Sequence, residues 1–190
     1  MPEHLWGMTS VTGNLDDTLA RAIPLAVSGD QAAFARIVQA HHGDMTRVCY
    51  VICGDLDLAD EAVQSAWAIA WRKLGTLKDP ERLRPWLVSV AANEARQLLR
   101  HRRRRTVVEL SVSPGPEYGA ASDPAGRTAD LDLANALARL DPDDRALLAL
   151  RYVAGFDSTE LARATGRSAS GTRARLARLL DRLRTELGDD

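Results

Sequence analysis

Residues 157 to 172 read Asp157-Ser158-Thr159-Glu160-Leu161-Ala162-Arg163-Ala164-Thr165-Gly166-Arg167-Ser168-Ala169-Ser170-Gly171-Thr172, and the order of residue types here decides the fold. Asp157 to Glu160 can cap a helix start, because short polar side chains accept hydrogen bonds from the unpaired N–H groups of a first turn. Leu161 and Ala162 supply its buried face, and Gly166 permits the left-handed residue at which a helix ends. A second helix follows almost at once, with Leu176, Leu179, Leu180 and Leu183 at helical spacing. Short helix, tight glycine turn and second helix make a helix-turn-helix, whose second helix lies in the DNA major groove.

Charge supports that reading. Arg163, Arg167, Arg173, Arg175, Arg178, Arg182 and Arg184 crowd this segment, opposed before Glu186 only by Asp181. Near the amino end of the second helix, Ser168, Ser170, Thr172, Arg173 and Arg175 can reach phosphates or base edges, and arginine is the side chain best shaped for guanine. Arg178, Arg182 and Arg184 lie farther along, nearer to backbone phosphates or solvent. The competing reading, a solvated basic helix closing a bundle, leaves the capped first helix and its glycine turn unexplained. Asp141, Asp143 and Asp144, at the start of the preceding helix, read as carboxylates that suit the helix dipole.

Upstream, Leu131, Leu133, Leu137 and Leu140, then Leu147, Leu148, Leu150 and Val153 continue the helical pattern back to about Asp130. Between Ser111 and Gly126 the composition turns to Ser, Pro, Gly and Ala, with Pro114, Pro116 and Pro124, which predicts a flexible tether unable to bury a core. From Asp30 to Arg105 apolar stripes recur at three and four residues: Phe34, Ile37 and Val38; Val48, Val51 and Ile52; Ala62 to Leu74; Trp86 to Leu99. Four helices are expected, with breaks at Gly43, at Gly54-Asp55 and across Gly75 to Pro85. At most one short helix, Asp16 to Val27, is expected before them. The predicted class is all-α: a helical bundle and a helix-turn-helix domain joined by a flexible linker.

The bulk composition narrows the function. With 190 residues, 45% hydrophobic and 27% charged, the chain can bury one or two modest cores, and a formal net charge of -1 excludes a uniformly basic coat. Any DNA affinity must come from segregated charge. No apolar run approaches the roughly 20 residues that span a bilayer, and the first ten residues lack a secretory pattern, so a soluble cytoplasmic protein without membrane insertion is expected. Cys49 and Cys53 are too few for a disulfide framework. With His41 and His42 they could hold zinc, or they could be small buried hydrophobes; no metal and no cofactor are expected. An enzyme finds little support, since glycine-rich phosphate loop and nucleophile elbow are both missing.

The densest positive charge is Arg96, Arg100, Arg102, Arg103, Arg104 and Arg105. At about 100° per residue, Asn93, Arg96, Gln97 and Arg100 share one face, which could lie along phosphates or simply be solvated. Trp67 and Trp71 fit a core, whereas Trp86, behind a proline-bounded loop, is better placed beside an unstacked base. Asp60, Glu61 and Gln64 read, on chemistry alone, as a helix start stabilised by carboxylates.

The ordered set Asp30-Gln31-Ala32-Ala33-Phe34, Ala59 to Trp67 and Pro85 to Asn93 running into the arginines resembles region 2 of extracytoplasmic-function (ECF) sigma factors. Ala136 to Pro142, Arg145-Ala146, Leu150-Arg151-Tyr152 and Gly155-Phe156 through Gly166 resemble region 4. The resemblance implies an extension over 1–29, region 2 over 30–105, a linker over 106–129 and region 4 over 130–187. It implies binding to core RNA polymerase, at clamp and flap, and to promoter DNA, with an anti-sigma factor as a further partner. Asp60, Glu61 and Gln64 then take the clamp-binding role. The loop Gly75 to Arg84 with Trp86 and Asn93 opens the minus-ten element, while Arg96, Arg100, Arg102 and Arg103 hold phosphates. Ser168, Ser170, Thr172, Arg173, Arg175 and Arg178 read the minus-thirty-five element. A stand-alone helix-turn-helix regulator is the alternative, separable by whether promoter binding needs core polymerase. Ser65 and Gln97 replace commonly acidic residues, Ser170 a usual glycine, and Gly171-Thr172 a usual threonine-valine pair. Glycine inside a helix costs about 1 kcal/mol relative to alanine, and an inward polar residue needs a partner, so a recognition helix that is marginal until held is expected.

Overall fold

The computed structural model of the chain describes residues 10–112 and 128–188, with side chains over 18–105 and 132–188. Residues 1–9 of the expected extension and 113–127 of the expected tether lie outside the described residues. The helices are α1 (Ser10–Val27), α2 (Gln31–Cys53), α3 (Leu56–Lys73), α4 (Leu83–Val112), α5 (Thr128–Arg139), α6 (Pro142–Leu148), α7 (Ser158–Thr165) and α8 (Ala169–Leu187). No strand occurs among the described residues, and the all-α expectation holds.

Aspartates set four of these starts, three of them outside the helix-turn-helix. Asp30 accepts from the N–H groups of Ala32 and Ala33 at 2.8 and 3.0 Å, Asp55 from Leu58 at 2.9 Å, and Asp141 from Asp143 at 2.8 Å. Each satisfies donors that a first turn leaves unpaired. At the other end of α2, Gly54 takes φ 71° and returns its N–H to the Tyr50 carbonyl at 2.7 Å. Two 3-10 turns, Leu74–Thr76 and Pro80–Arg82, fill the expected break before α4.

Two expectations need correction. α2 runs unbroken through Gly43, because Ile37, His41, Met45, Val48 and Ile52 form one buried stripe across it. Fully burying a side chain such as Ile37 or Met45 contributes about 1.5–3 kcal/mol, which outweighs one helical glycine. The helix before the bundle is also longer than expected, with Ala22, Ile23 and Ala26 buried against α2. The four packed helices are therefore α1 to α4.

Alanines at 59, 62, 66 and 70 of α3 and at 91 and 95 of α4 are buried, and their small size brings the helices together. Phe34 sits edge-on to Trp67 and Trp71, with ring centroids at 5.7 and 4.8 Å, so both tryptophans serve the α2–α3 seam. Cys49 and Cys53 lie in this core, where the Cys49 thiol donates to the Ala91 carbonyl at 3.5 Å. Burial pushes both thiols up, Cys53 to about 11. His42 instead accepts from the Trp67 indole N–H at 3.3 Å, and among the described residues no cluster of three or more His, Cys, Asp or Glu is placed to hold a metal.

In the carboxy-terminal group, α6 continues into a π-helical turn, Ala149–Val153, and Leu140, Leu147, Leu150, Phe156, Leu161, Leu179 and Leu183 form the core. α6 and the π turn also pack on α2 and α4, so the two helical groups share a seam. No described helix is long and apolar enough to cross a membrane.

Candidate nucleic-acid interface

The helix-turn-helix is built from local hydrogen bonds. Asp157 accepts from the N–H groups of Thr159 and Glu160 at 2.7 and 2.8 Å, and Glu160 accepts from the Asp157 N–H at 2.9 Å, a reciprocal capping box. Backbone hydrogen bonds, that from Glu160 first, hold the Asp157 carboxyl below its usual range. Gly166 closes α7 at φ 66°, and Ser168 starts α8 by accepting from the Gly171 N–H at 3.1 Å.

Along α8, Ser168, Ser170, Arg173 and Arg178 are exposed. Thr172 departs from this set: it is 1% exposed and its hydroxyl donates to the Ser168 carbonyl at 2.9 Å. Because it faces inward, it presents nothing to a groove. Arg175 is half-buried, and its Nε donates to Asp144, itself 8% exposed at the start of α6. Bound through Nε, this guanidinium is held in one orientation.

On α4, Asn93, Gln97, Arg100 and Arg102 to Arg105 are exposed, and Arg96 is half-buried. Arg96 Nε donates to Asp143 Oδ1 at 2.6 Å, and Arg100 Nη2 donates to the same oxygen. Burial pushes the Asp143 carboxyl up, but the hydrogen bonds and charges of Arg96 and Arg100 outweigh this and hold it below the ordinary range. Trp86 is half-buried and lines a cleft of about 570 Å³ between the turns before α4 and the start of α7, opposite Phe156, Asp157 and Glu160. Asp60, Glu61 and Gln64 are exposed together on α3, facing away from Ala59, Ala62, Val63 and Ala66. Beside them a shallow cavity of about 210 Å³ is lined by Glu61, Ser65, Glu94 and Gln97, and Gln97 donates to Glu94 at 3.2 Å.

Sequence reasoning missed the partners of Asp143 and Asp144. One aspartate suffices for a cap, and Asp141 fills that role; two surplus carboxylates in the same turn were the available signal. It also missed Arg84, which donates to Asp44 at 2.7 Å and to the Ala154 carbonyl at 3.1 Å, and Arg145, which is 6% exposed in the seam.

Compared with known protein families, residues 37–105 match Sigma-70 region 2 and residues 130–183 match Sigma-70 region 4. The sigma factor NccH of Alcaligenes xylosoxydans xylosoxydans is 31% identical over 178 residues, covering 87% of this chain and 90% of the relative.

The chain belongs to the sigma-70 family of RNA polymerase sigma factors.

Curated relatives named as ECF sigma factors match as well, and this sigma factor is of the ECF group. A probable sigma factor of Xanthomonas campestris pv. campestris, RfaY, is 32% identical over 183 residues; the match covers 91% of this chain but 45% of that longer relative. Among solved structures, CnrH in complex with the cytosolic domain of CnrY is similar, with TM-score 0.65, 26% identity, and coverage of 92% of this sigma factor and 99% of that chain. Region 2 thus holds Trp86 and the basic face of α4, region 4 holds the helix-turn-helix, and the Trp86 cleft lies between the two.

Proposed function

We propose that this sigma factor is a non-catalytic, cytoplasmic promoter-specificity subunit whose residues divide the work by region. Asp60, Glu61 and Gln64 form the acidic and polar face offered to the polymerase clamp. Trp86 and Asn93 engage the minus-ten element, while Arg96, Arg100, Arg102 and Arg103 hold phosphates beside it. Ser168, Ser170, Arg173, Arg175 and Arg178 read the minus-thirty-five element from α8. An anti-sigma factor that covers these surfaces is the expected protein partner, by similarity to the solved complex of the sigma factor RpoE with the anti-sigma factor NepR from Bartonella quintana.

One observation carries this reading: in a chain of net charge -1, exposed arginines collect on two helices, one in each matched region. Phosphate contacts supply affinity, and base contacts supply specificity. In vitro transcription with core polymerase on a promoter library tests the whole. Productive initiation only with core is expected, and tight sequence-specific binding by the chain alone would overturn it. Arg173→Ala should cost about 1–3 kcal/mol of discrimination at one upstream position, whereas removing Arg102 to Arg105 should weaken binding evenly across sequences. Equal losses on cognate and scrambled promoters for Arg173→Ala would refute its assignment.

A further inference from the structure

Of the three arginines that α8 offers to the upstream element, only one is tied down. Arg173 and Arg178 are exposed, and neither makes an ion pair among the described residues. Arg175 is half-buried and donates through Nε to Asp144. Helix geometry explains the difference. At about 100° per residue, Arg175 lies about 60° round the helix from the buried Thr172, whereas Arg173 and Arg178 lie about 100° and 120° away. Arg175 therefore leaves α8 at the rim of its exposed face, and its guanidinium is the one whose place depends on a neighbour.

Asp144 is that neighbour. It stands in the first turn of α6, where Asp141 already caps the helix, so capping does not account for a second carboxylate there. At 8% exposure it is nearly out of water, where a carboxylate requires a charged or hydrogen-bonded partner. Arg175 supplies one, and the bond through Nε fixes the plane of its guanidinium while leaving both Nη groups for another acceptor. A guanidinium anchored in this way at the rim matches a phosphate oxygen rather than a base edge on the groove floor.

We propose that Asp144 is a positioning residue for promoter recognition. It holds Arg175 against one backbone phosphate at the rim of the major groove, and that anchor sets the register from which Arg173 and Arg178 read bases. Phosphate contacts fix register without carrying sequence information, so a residue that touches no DNA governs discrimination at several base pairs at once. Preorganisation is the source of the effect, because a side chain already immobilised loses less freedom on binding. The inference rests on the assignment of α8 to the minus-thirty-five element and adds to it the part played by Asp144.

The test uses the full chain assembled with core polymerase. Wild-type holoenzyme first selects a preferred upstream element from a randomised promoter pool, and discrimination is then its affinity for that element over a scrambled one. Asp144→Ala should lower this ratio about threefold to tenfold, because Arg175 regains its rotamer freedom. The loss should be spread over every base pair that the wild type reads. Asp144→Asn, which keeps an oxygen for Nε, should stay near the wild type. Charge alone predicts otherwise: both substitutions remove a negative charge, and both would then tighten binding to any duplex. In an Arg175→Ala background, Asp144→Ala should have no further effect. If Asp144→Ala retains its helical circular dichroism and its assembly with core yet discriminates as well as the wild type, the positioning role is overturned. Where Asp144→Ala fails to fold, Arg175→Lys decides, since it keeps the charge without the Nε: the same loss of discrimination with an unchanged salt slope is expected, and full discrimination overturns the role. A wild-type holoenzyme that enriches no upstream element would refute the promoter reading and the positioning role with it, a failure distinct from an element selected without need of Asp144.

Discussion

Ser168 and Thr172 hold the first turn of α8 together from both sides. The Ser168 hydroxyl accepts the Gly171 N–H, and its carbonyl accepts both the N–H and the hydroxyl of Thr172, each at 2.9 Å. The inward hydroxyl is thus satisfied, leaving Gly171 as the remaining source of the expected weakness. Gly171 has its own reason: a Cβ there would lie 3.0 Å from Ser168 Oγ and crowd the cap. Ser168→Ala should destabilise α8 by about 1 kcal/mol, read as a lower urea midpoint, with faster amide exchange confined to residues 169–176. An unchanged midpoint would show that the cap contributes nothing. The capping box and Gly166 were legible in the sequence because their partners lie within a few residues. Residue order set Thr172 among the groove-facing side chains, and only the resemblance implied an inward position for it; its acceptor depended on the cap geometry of Ser168.

Among the elements, α6 carries the most consequence for its length. Its three aspartates have three different partners: its own backbone, α8 and α4. Only the first is local, and Asp143 and Arg96 stand 47 residues apart, a pairing that no spacing rule reveals. Helix α2 shows the opposite failure, a glycine read as a break although tertiary packing overrode its propensity. Arg145 gives α6 a measurable weak point. Burial first, and then the like charge of Arg103, make its protonated form less favourable than usual. Arg145→Met replaces an ill-compensated cation with an apolar chain of similar reach, so the closed seam should strengthen. The expected outcome is a higher urea midpoint with slower amide exchange in α6; a lower midpoint would contradict it.

For the molecule as a whole, the helical class and the two charge centres were legible because both follow from residue order alone. The seam between them was not, because it depends on side chains brought together only by the fold. That seam has a pH dependence of definite sign. Burial raises both Asp44 and Asp143, but Arg84 and Arg47 for the former, and Arg96 and Arg100 for the latter, leave both carboxyls below their ordinary value. Asp44 is held by Arg47 and Arg84 within region 2, whereas Asp143 is held across the seam, so closed chains bind a proton less readily than open ones at Asp143. The resulting stabilisation is complete above the ordinary carboxylate pKa of about 3.9 and is lost as pH falls through the lowered values. Small-angle scattering should record an expanding chain at those acidic pH values before helical dichroism collapses, and Asp143→Asn should blunt the expansion. A radius that stays constant until the helices melt would count against it.

The ill-served guanidinium at position 145 also gives natural selection a dial. It touches no base and no phosphate in the reading developed above, yet it lies buried where α6 packs on region 2. One codon change there can therefore retune the strength of that seam while leaving untouched every side chain assigned to DNA.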